Sequence, residues 1–293
     1  MTDIEPIDVS VVLPAFNEQD SIGAVITSIR YVMNELPLRY EILVVDDCST
    51  DATEDRATQL SARVIRHAMN LGSGAARRTG IREARGEIIV MMDADGTYEP
   101  RTIPEMLSFF PQYDQVNGAR TSEQGTLRPL RSLAKGFIRY LGMYLSGRYI
   151  PDLNTGLKAF KRSIMLQYLW VLPDGFSCVT TMTLAFLTNG HPVKYIPTPY
   201  YKRSGGKSKF HPIGDTAMYF STVVRVATYF RPLRVYGPLA LITIVAGIIK
   251  SWYDFFIHTK HSLEESDIIL ICTGILLAAI GLLADLIVAQ RRR

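Results

Sequence analysis

Apolar and polar positions switch between two periods over roughly the first 210 residues. Short apolar runs of strand type cover 9–13, 41–45, 64–65 and 87–92, each closed by proline, acidic or polar residues. Between the first two, Ile22, Val25, Ile26, Ile29 and Met33 recur at helical spacing within 21–36. Asp51 stands where it can cap a helix beginning near Thr53, and 70–74 reads as a loop opening a helix over 75–84. Strands alternating with helices predict an α/β fold with a largely parallel sheet and a ligand site at the strands' carboxyl ends.

The C-terminus follows a different pattern. Residues 268–289 hold one charge, Asp285, and at about 1.5 Å per residue reach roughly 33 Å, enough to cross a hydrocarbon core. Residues 235–249 are uncharged and mostly apolar, extended by Trp252, Tyr253, Phe255 and Phe256, with Lys250 placed to snorkel. Alone, that first run also fits a buried core helix. Two such runs around a short polar loop predict a transmembrane hairpin. Arg225, Arg231 and Arg234 precede it and Arg291, Arg292 and Arg293 follow, whereas the loop 251–267 carries Lys260 with Glu264, Glu265 and Asp267. This bias puts both termini in the cytoplasm. The polar, acidic start 1–8 gives no sign of a signal peptide.

Acidic residues cluster at the predicted strand ends: Glu18 after the first, Asp46 and Asp47 after the second, Asp93 and Asp95 after the fourth. In a parallel sheet those ends share one edge, so the carboxylates converge and call for a neutralising cation. Hard oxygen ligands favour Mg²⁺ or Mn²⁺, and the five histidines show no zinc spacing. Gly72-Ser73-Gly74 is not a dinucleotide fingerprint, because the third glycine position is Arg77 and the loop follows the third strand. It reads as helix-entry chemistry, with Arg77 or Arg78 near a phosphate.

Composition narrows the classes. A mean hydropathy of +0.10 is high for a soluble enzyme and comes from the C-terminal runs. The net charge of +4 is too weak to imply a nucleic-acid partner. Three scattered cysteines (Cys48, Cys178, Cys272) are no disulfide framework. Residues 128–149, and 211–234 before the hairpin, mix basic and aromatic residues; each fits either a lipid-interface helix or ordinary packing.

Val9 to Glu18 (VSVVLPAFNE), Glu41 to Asp51 (EILVVDDCSTD), NLGSGAAR from Asn70 and MDADG from Met92 resemble glycosyltransferase family 2, enzymes of the GT-A fold that use nucleotide sugars. DLNTG from Asp152 and RSGGKSK from Arg203 are similar to the dolichyl- or polyprenyl-phosphate sugar synthase branch. The resemblance implies a nucleotide pocket lined by Pro14, Phe16 and Glu18, with Val45 and Asp47 at the base. It implies Asp93, Ala94 and Asp95 at the sugar diphosphate, with Asp93 and Asp95 as the metal positions and Asp95 foremost. Arg120, Arg131, Arg203 and Lys209 would bind donor and acceptor phosphates, and Asp93, Asp95, Arg131 and Arg203 would carry catalysis. Two positions depart from the pattern: Thr97 replaces a common metal-side glutamine, and Thr181 a common glutamate.

Together these features predict a GT-A, Rossmann-like catalytic domain over 1–211, a juxtamembrane amphipathic segment over 212–234 and a two-span hairpin over 235–293, in a cell membrane or endomembrane. The expected activity is metal-dependent, inverting transfer from a UDP- or GDP-linked sugar to a polyprenyl phosphate, with homo-oligomerisation left open. A lipid phosphate is already anionic and needs no general base, in keeping with the lack of an evident catalytic histidine. The alternatives are transfer to a lipid-linked saccharide or other lipid hydroxyl, or a catalytically silent sugar-nucleotide sensor. The first needs a base that Thr181 does not offer; the intact Asp93, Asp95 and basic loop weigh against the second.

Overall fold

The computed structural model describes residues 6–121, 129–175, 177–201, 221, 224–226, 228–256 and 264–291; in 129–138 only the side chain at 136 is included. The chain divides into two compact units, Met1–Phe220 and Ser221–Arg293.

In the first unit the predicted alternation becomes β1 (Val9–Ala15), α1 (Ile22–Met33), β2 (Tyr40–Asp46), α2 (Thr53–Gln59), β3 (Arg63–Arg66), α3 (Ser73–Glu83) and β4 (Ile88–Met91). There follow α4 (Ile103–Ser108), β5 (Gln115–Arg120), α5 (Pro129–Ser146), β6 (Lys158–Lys161), α6 (Arg162–Gln167), α7 (Cys178–Thr188) and β7 (Val193–Thr198). The strands form one sheet in the order β3-β2-β1-β4-β6-β5-β7. β1 pairs in parallel with β2 and β4, and β2 with β3, while β6 runs antiparallel between β4 and β5. The sheet is therefore mostly parallel, with the reversal of strand order between β1 and β4, where α/β sheets open a crevice for ligands.

The helical stripe read from the sequence is the buried face of α1: Ile22, Val25, Ile26, Ile29 and Met33 pack on Val9, Val11, Leu13, Ile42 and Val44. Asp51 accepts the Thr53 N–H at 3.0 Å, tying down the start of α2. α5 packs inward at Gly142, which sits near Ile150, Leu153 and Leu184, while Tyr140 and Tyr144 are exposed.

The second unit holds α8 (Leu233–Phe256) and α9 (Glu265–Arg291), both long and apolar enough to cross a membrane and both largely exposed. Residues 251–256, counted with the polar loop in the sequence although Trp252, Tyr253, Phe255 and Phe256 extend the apolar run, continue α8. Lys250, expected to snorkel, sits in a polar cluster. Its ammonium donates to Asp254 at 2.6 Å, Asp267 at 2.9 Å and Ser266 at 2.9 Å, pinning one helix to the other at the loop end. The expected juxtamembrane segment lies outside the described residues up to 220.

Candidate active site

The parallel strands deliver the predicted carboxylates to one rim. β1 and β2 are in register from Val9 with Tyr40 to Ala15 with Asp46, so Glu18 and Asp47 follow adjacent strand ends. β4 lies on the other side of β1 and leads directly into Asp93 and Asp95. Ser21 joins the two loops: its hydroxyl donates to the Ala94 carbonyl at 2.8 Å and lies 3.3 Å from Glu18 Oε2.

The two aspartates after β2 have separate roles. Asp46 is fully buried and accepts the Ser49 N–H, closing a turn. Asp47, also buried, accepts Leu71 N–H at 2.9 Å and Gly72 N–H at 2.8 Å, and pairs with His67 Nδ1 at 2.7 Å. His67 Nε2 in turn meets Thr79 Oγ1 at 2.9 Å. Asp47 thereby shapes the loop that opens α3. Val45 is fully buried with its side chain towards Gly80 of α3, while Pro14, Phe16 and Glu18 are partly exposed at the rim.

Gly72 and Gly74 are helix-entry residues, as read from the sequence. Gly72 has φ +98°, and a Cβ on Gly74 would lie 2.1 Å from the Pro173 carbonyl oxygen, so the 173–174 loop packs directly on the start of α3. From that helix Arg77 reaches Asp93 Oδ1 and Arg78 reaches Asp174.

Asp95 Oδ1 accepts from Thr97 twice, from N–H at 3.1 Å and from the hydroxyl at 2.7 Å. The Thr97 hydroxyl thus donates to Asp95 instead of facing outward. Thr181 is fully buried and donates to the Ser177 carbonyl inside α7. Tyr98 is buried, its hydroxyl accepting the Gly156 N–H at 2.7 Å; burial and the charge of Asp93 raise its pKa. Burial and Asp95 do the same to Tyr200.

Arg120 reaches the rim from β5, where its guanidinium grips Asp152 with both arms, Nε to Oδ2 at 2.7 Å and Nη2 to Oδ1 at 2.9 Å, and lies 5.3 Å above the Tyr200 ring. Burial alone would raise the Asp152 carboxyl, but the Arg120 bond and charge hold it below its ordinary value. Arg131 lies on α5 with its side chain outside the described residues, and Arg203 and Lys209 lie outside them altogether.

Among the described residues no three His, Cys, Asp or Glu side chains form a cage for a metal. The part-exposed carboxylates of Asp93 and Asp95 at one loop still suit a hard divalent ion that completes its shell with water and substrate phosphates, as Mg²⁺ commonly does.

A family model, Glycosyl transferase family 2, matches residues 10–169, more than half of the chain and all of the rim up to Asp152. The chain belongs to glycosyltransferase family 2. A second family model, the GtrB C-terminal hairpin, matches 231–289 and so covers α8 and α9, consistent with membrane association. Glycosyltransferase AglJ of Haloferax volcanii is 27% identical over 98% of this chain and 96% of its own length. The dolichyl-phosphate hexose transferase of the same organism is 28% identical over 77% of this chain and 96% of its own. A dodecaprenyl-phosphate galacturonate synthase of Rhizobium johnstonii is 33% identical over 56% of this chain, which spans about half of that protein. Glucosyl-3-phosphoglycerate synthase of Mycobacterium tuberculosis, solved with Mn²⁺, UDP and glucosyl-3-phosphoglycerate, superposes with a TM-score of 0.59 at 20% identity, covering 75% of this chain and 80% of that one. That likeness supports the GT-A-like fold alone.

The sequence reading missed the partners that hold the site: His67 behind Asp47, Tyr98 beneath Gly156, and Asp152 on Arg120. Only Asp152 carried a signal, as the first residue of DLNTG. The fully buried Lys158, bonded to Thr183 at 2.7 Å, also went unread, because one lysine in a strand has no periodicity to reveal it.

Proposed function

We propose that this glycosyltransferase moves a sugar from a nucleotide-sugar donor to a polyprenyl phosphate at the cytoplasmic face of a membrane, with inversion at the anomeric carbon. One observation carries the reading: a family 2 catalytic unit with its acidic rim occurs in one chain with a membrane hairpin. The relatives named for dolichyl and dodecaprenyl phosphate support the acceptor class.

In this reading Glu18, Pro14 and Phe16 line the nucleotide side of the crevice, and Asp47 shapes the wall formed by 70–72. Asp95, with Asp93 beside it, would hold Mg²⁺ or Mn²⁺, which when bound stabilises negative charge developing on the departing diphosphate. Arg131, Arg203 and Lys209 supply further positive charge for donor and acceptor phosphates, and Arg120 braces Asp152. An acceptor phosphate oxygen attacks the anomeric carbon as the bond to the nucleoside diphosphate breaks. No side chain has to remove a proton, because the attacking oxygen is already anionic.

The test uses the full chain in detergent or vesicles with Mn²⁺ or Mg²⁺, polyprenyl phosphate and a panel of UDP- and GDP-linked sugars. The expected result is one donor-specific glycosyl phosphate lipid, abolished by excess EDTA. Donor binding without transfer would favour the sensor alternative, and full output in EDTA would remove the metal from the account.

A further inference from the structure

Residues 152–156, in the loop between α5 and β6, are held at three points. At one end Arg120 grips Asp152, and the Asn154 N–H donates to Asp152 Oδ1 at 3.0 Å. At the other end the Gly156 N–H donates to the Tyr98 hydroxyl at 2.7 Å. A Cβ on Gly156 would lie 2.1 Å from Asp93 Oδ2, so this backbone packs on the Asp93 carboxylate. The third hold is on the side chain in the middle: Thr180, fully buried on α7, donates its hydroxyl to Asn154 Oδ1. Thr181, Thr183 and Thr188 of the same helix each donate to the carbonyl four residues back, the common arrangement inside a helix. Thr180 crosses to the loop.

The Thr180 bond engages the acceptor oxygen of the Asn154 amide and so fixes which way the group is turned. Its Nδ2, with two N–H donors, has no hydrogen-bond partner among the described residues, and Asn154 is half-buried. At most about 7 Å of chain separates it from the backbone that packs on Asp93. An amide turned this way offers neutral donors, which match a neutral hydroxyl oxygen; charged phosphate oxygens find stronger partners in guanidinium groups. We infer that Asn154 is a specificity-determining residue that reads one hydroxyl of the donor sugar through Nδ2. Thr180 is the positioning residue that keeps this edge of the amide free for it. The inference rests on the proposed donor site at Asp93 and Asp95, and goes beyond it by assigning part of the sugar choice to the loop before β6.

The experiment gives the full-length protein in detergent, with Mn²⁺ and polyprenyl phosphate, its preferred nucleotide sugar and the monodeoxy analogues of that sugar, and measures kcat/KM for each. In the wild type, loss of one particular hydroxyl should cost about tenfold. Asn154→Ala should lower kcat/KM for the parent sugar by about tenfold and shrink that one deoxy penalty to less than about twofold, with the penalties at the other hydroxyls unchanged. Thr180→Val should shrink the same penalty to about threefold, and Thr180→Ser, which keeps the hydroxyl, should restore it. A role confined to folding would lower every donor alike, and thermal melting confirms that each variant is folded. If Asn154→Ala fails to fold, the Thr180→Val and Thr180→Ser pair decides. An unchanged deoxy profile in folded Asn154→Ala, or an effect confined to the KM for polyprenyl phosphate, overturns the inference. A wild type that transfers no sugar from any nucleotide donor would instead overturn the functional reading beneath it.

Discussion

Lys158 is the residue whose environment is most at odds with its chemistry. It is fully buried on β6, bonded to Thr183 and lying 3.5 Å from Asn117 Oδ1, and burial pushes its ammonium down to about 7 from 10.5. A base whose pKa falls on folding binds fewer protons in the native state between those two values. Stability should therefore rise with pH through that window, by up to about 1.4 kcal/mol per unit. Lys158→Met removes this contribution. In thermal unfolding from pH 7 to pH 9.5, the wild type should gain stability relative to the variant as pH rises; parallel curves would show that Lys158 titrates normally. The same scale explains what sequence could reveal of the site. Asp93 and Asp95 were legible because they end an apolar strand, and Glu18 because it follows another. Arg77's partner was not, because a helix-to-loop ion pair between residues 77 and 93 depends on how α3 sits on the sheet.

At the scale of elements, the periodic segments were legible and the irregular ones were not. α1 announced itself through five apolar residues at helical spacing, β1 through an apolar run closed by Pro14, and β2 and β4 through apolar runs leading into aspartates. β6 is four residues, two of them lysines, and gains its place only by pairing antiparallel with β4 and β5. α7 is buried along its whole length and carries a threonine-rich polar row, so neither of its faces stands out in the sequence. In the hairpin, close packing depends on glycine. A Cβ on Gly274 would lie 2.4 Å from Ile244 Cγ1 and 3.0 Å from the Ala240 carbonyl oxygen. Gly274→Leu should force α8 and α9 apart at a cost of about 1–3 kcal/mol. Loss of disulfide crosslinking between cysteines engineered across the two helices would register the separation; unchanged crosslinking would show that the pair repacks without strain.

At the scale of the whole molecule, a glycosyltransferase family 2 unit and a pair of helices long and apolar enough to cross a membrane share one chain, and that pairing gives the acceptor its proposed identity. The sequence carried the catalytic unit in ordered motifs and the hairpin in hydropathy. It could not carry the sugar specificity, which depends on hydroxyl-reading side chains scattered over loops. In the proposed reaction the acceptor supplies its own nucleophilic anion, so the protein needs no general base. The direct measurement presents equal amounts of a polyprenyl phosphate and the corresponding polyprenol, with labelled donor and Mn²⁺, and quantifies label in each lipid across a range of about pH 6.5–9 (above the second phosphate pKa of about 6, where the monoester is mostly dianionic). Label is expected in the phosphate lipid alone, with no rise in rate that follows titration of a protein base. Comparable glycosylation of the polyprenol, or a rate that climbs with deprotonation of a side chain, would contradict it.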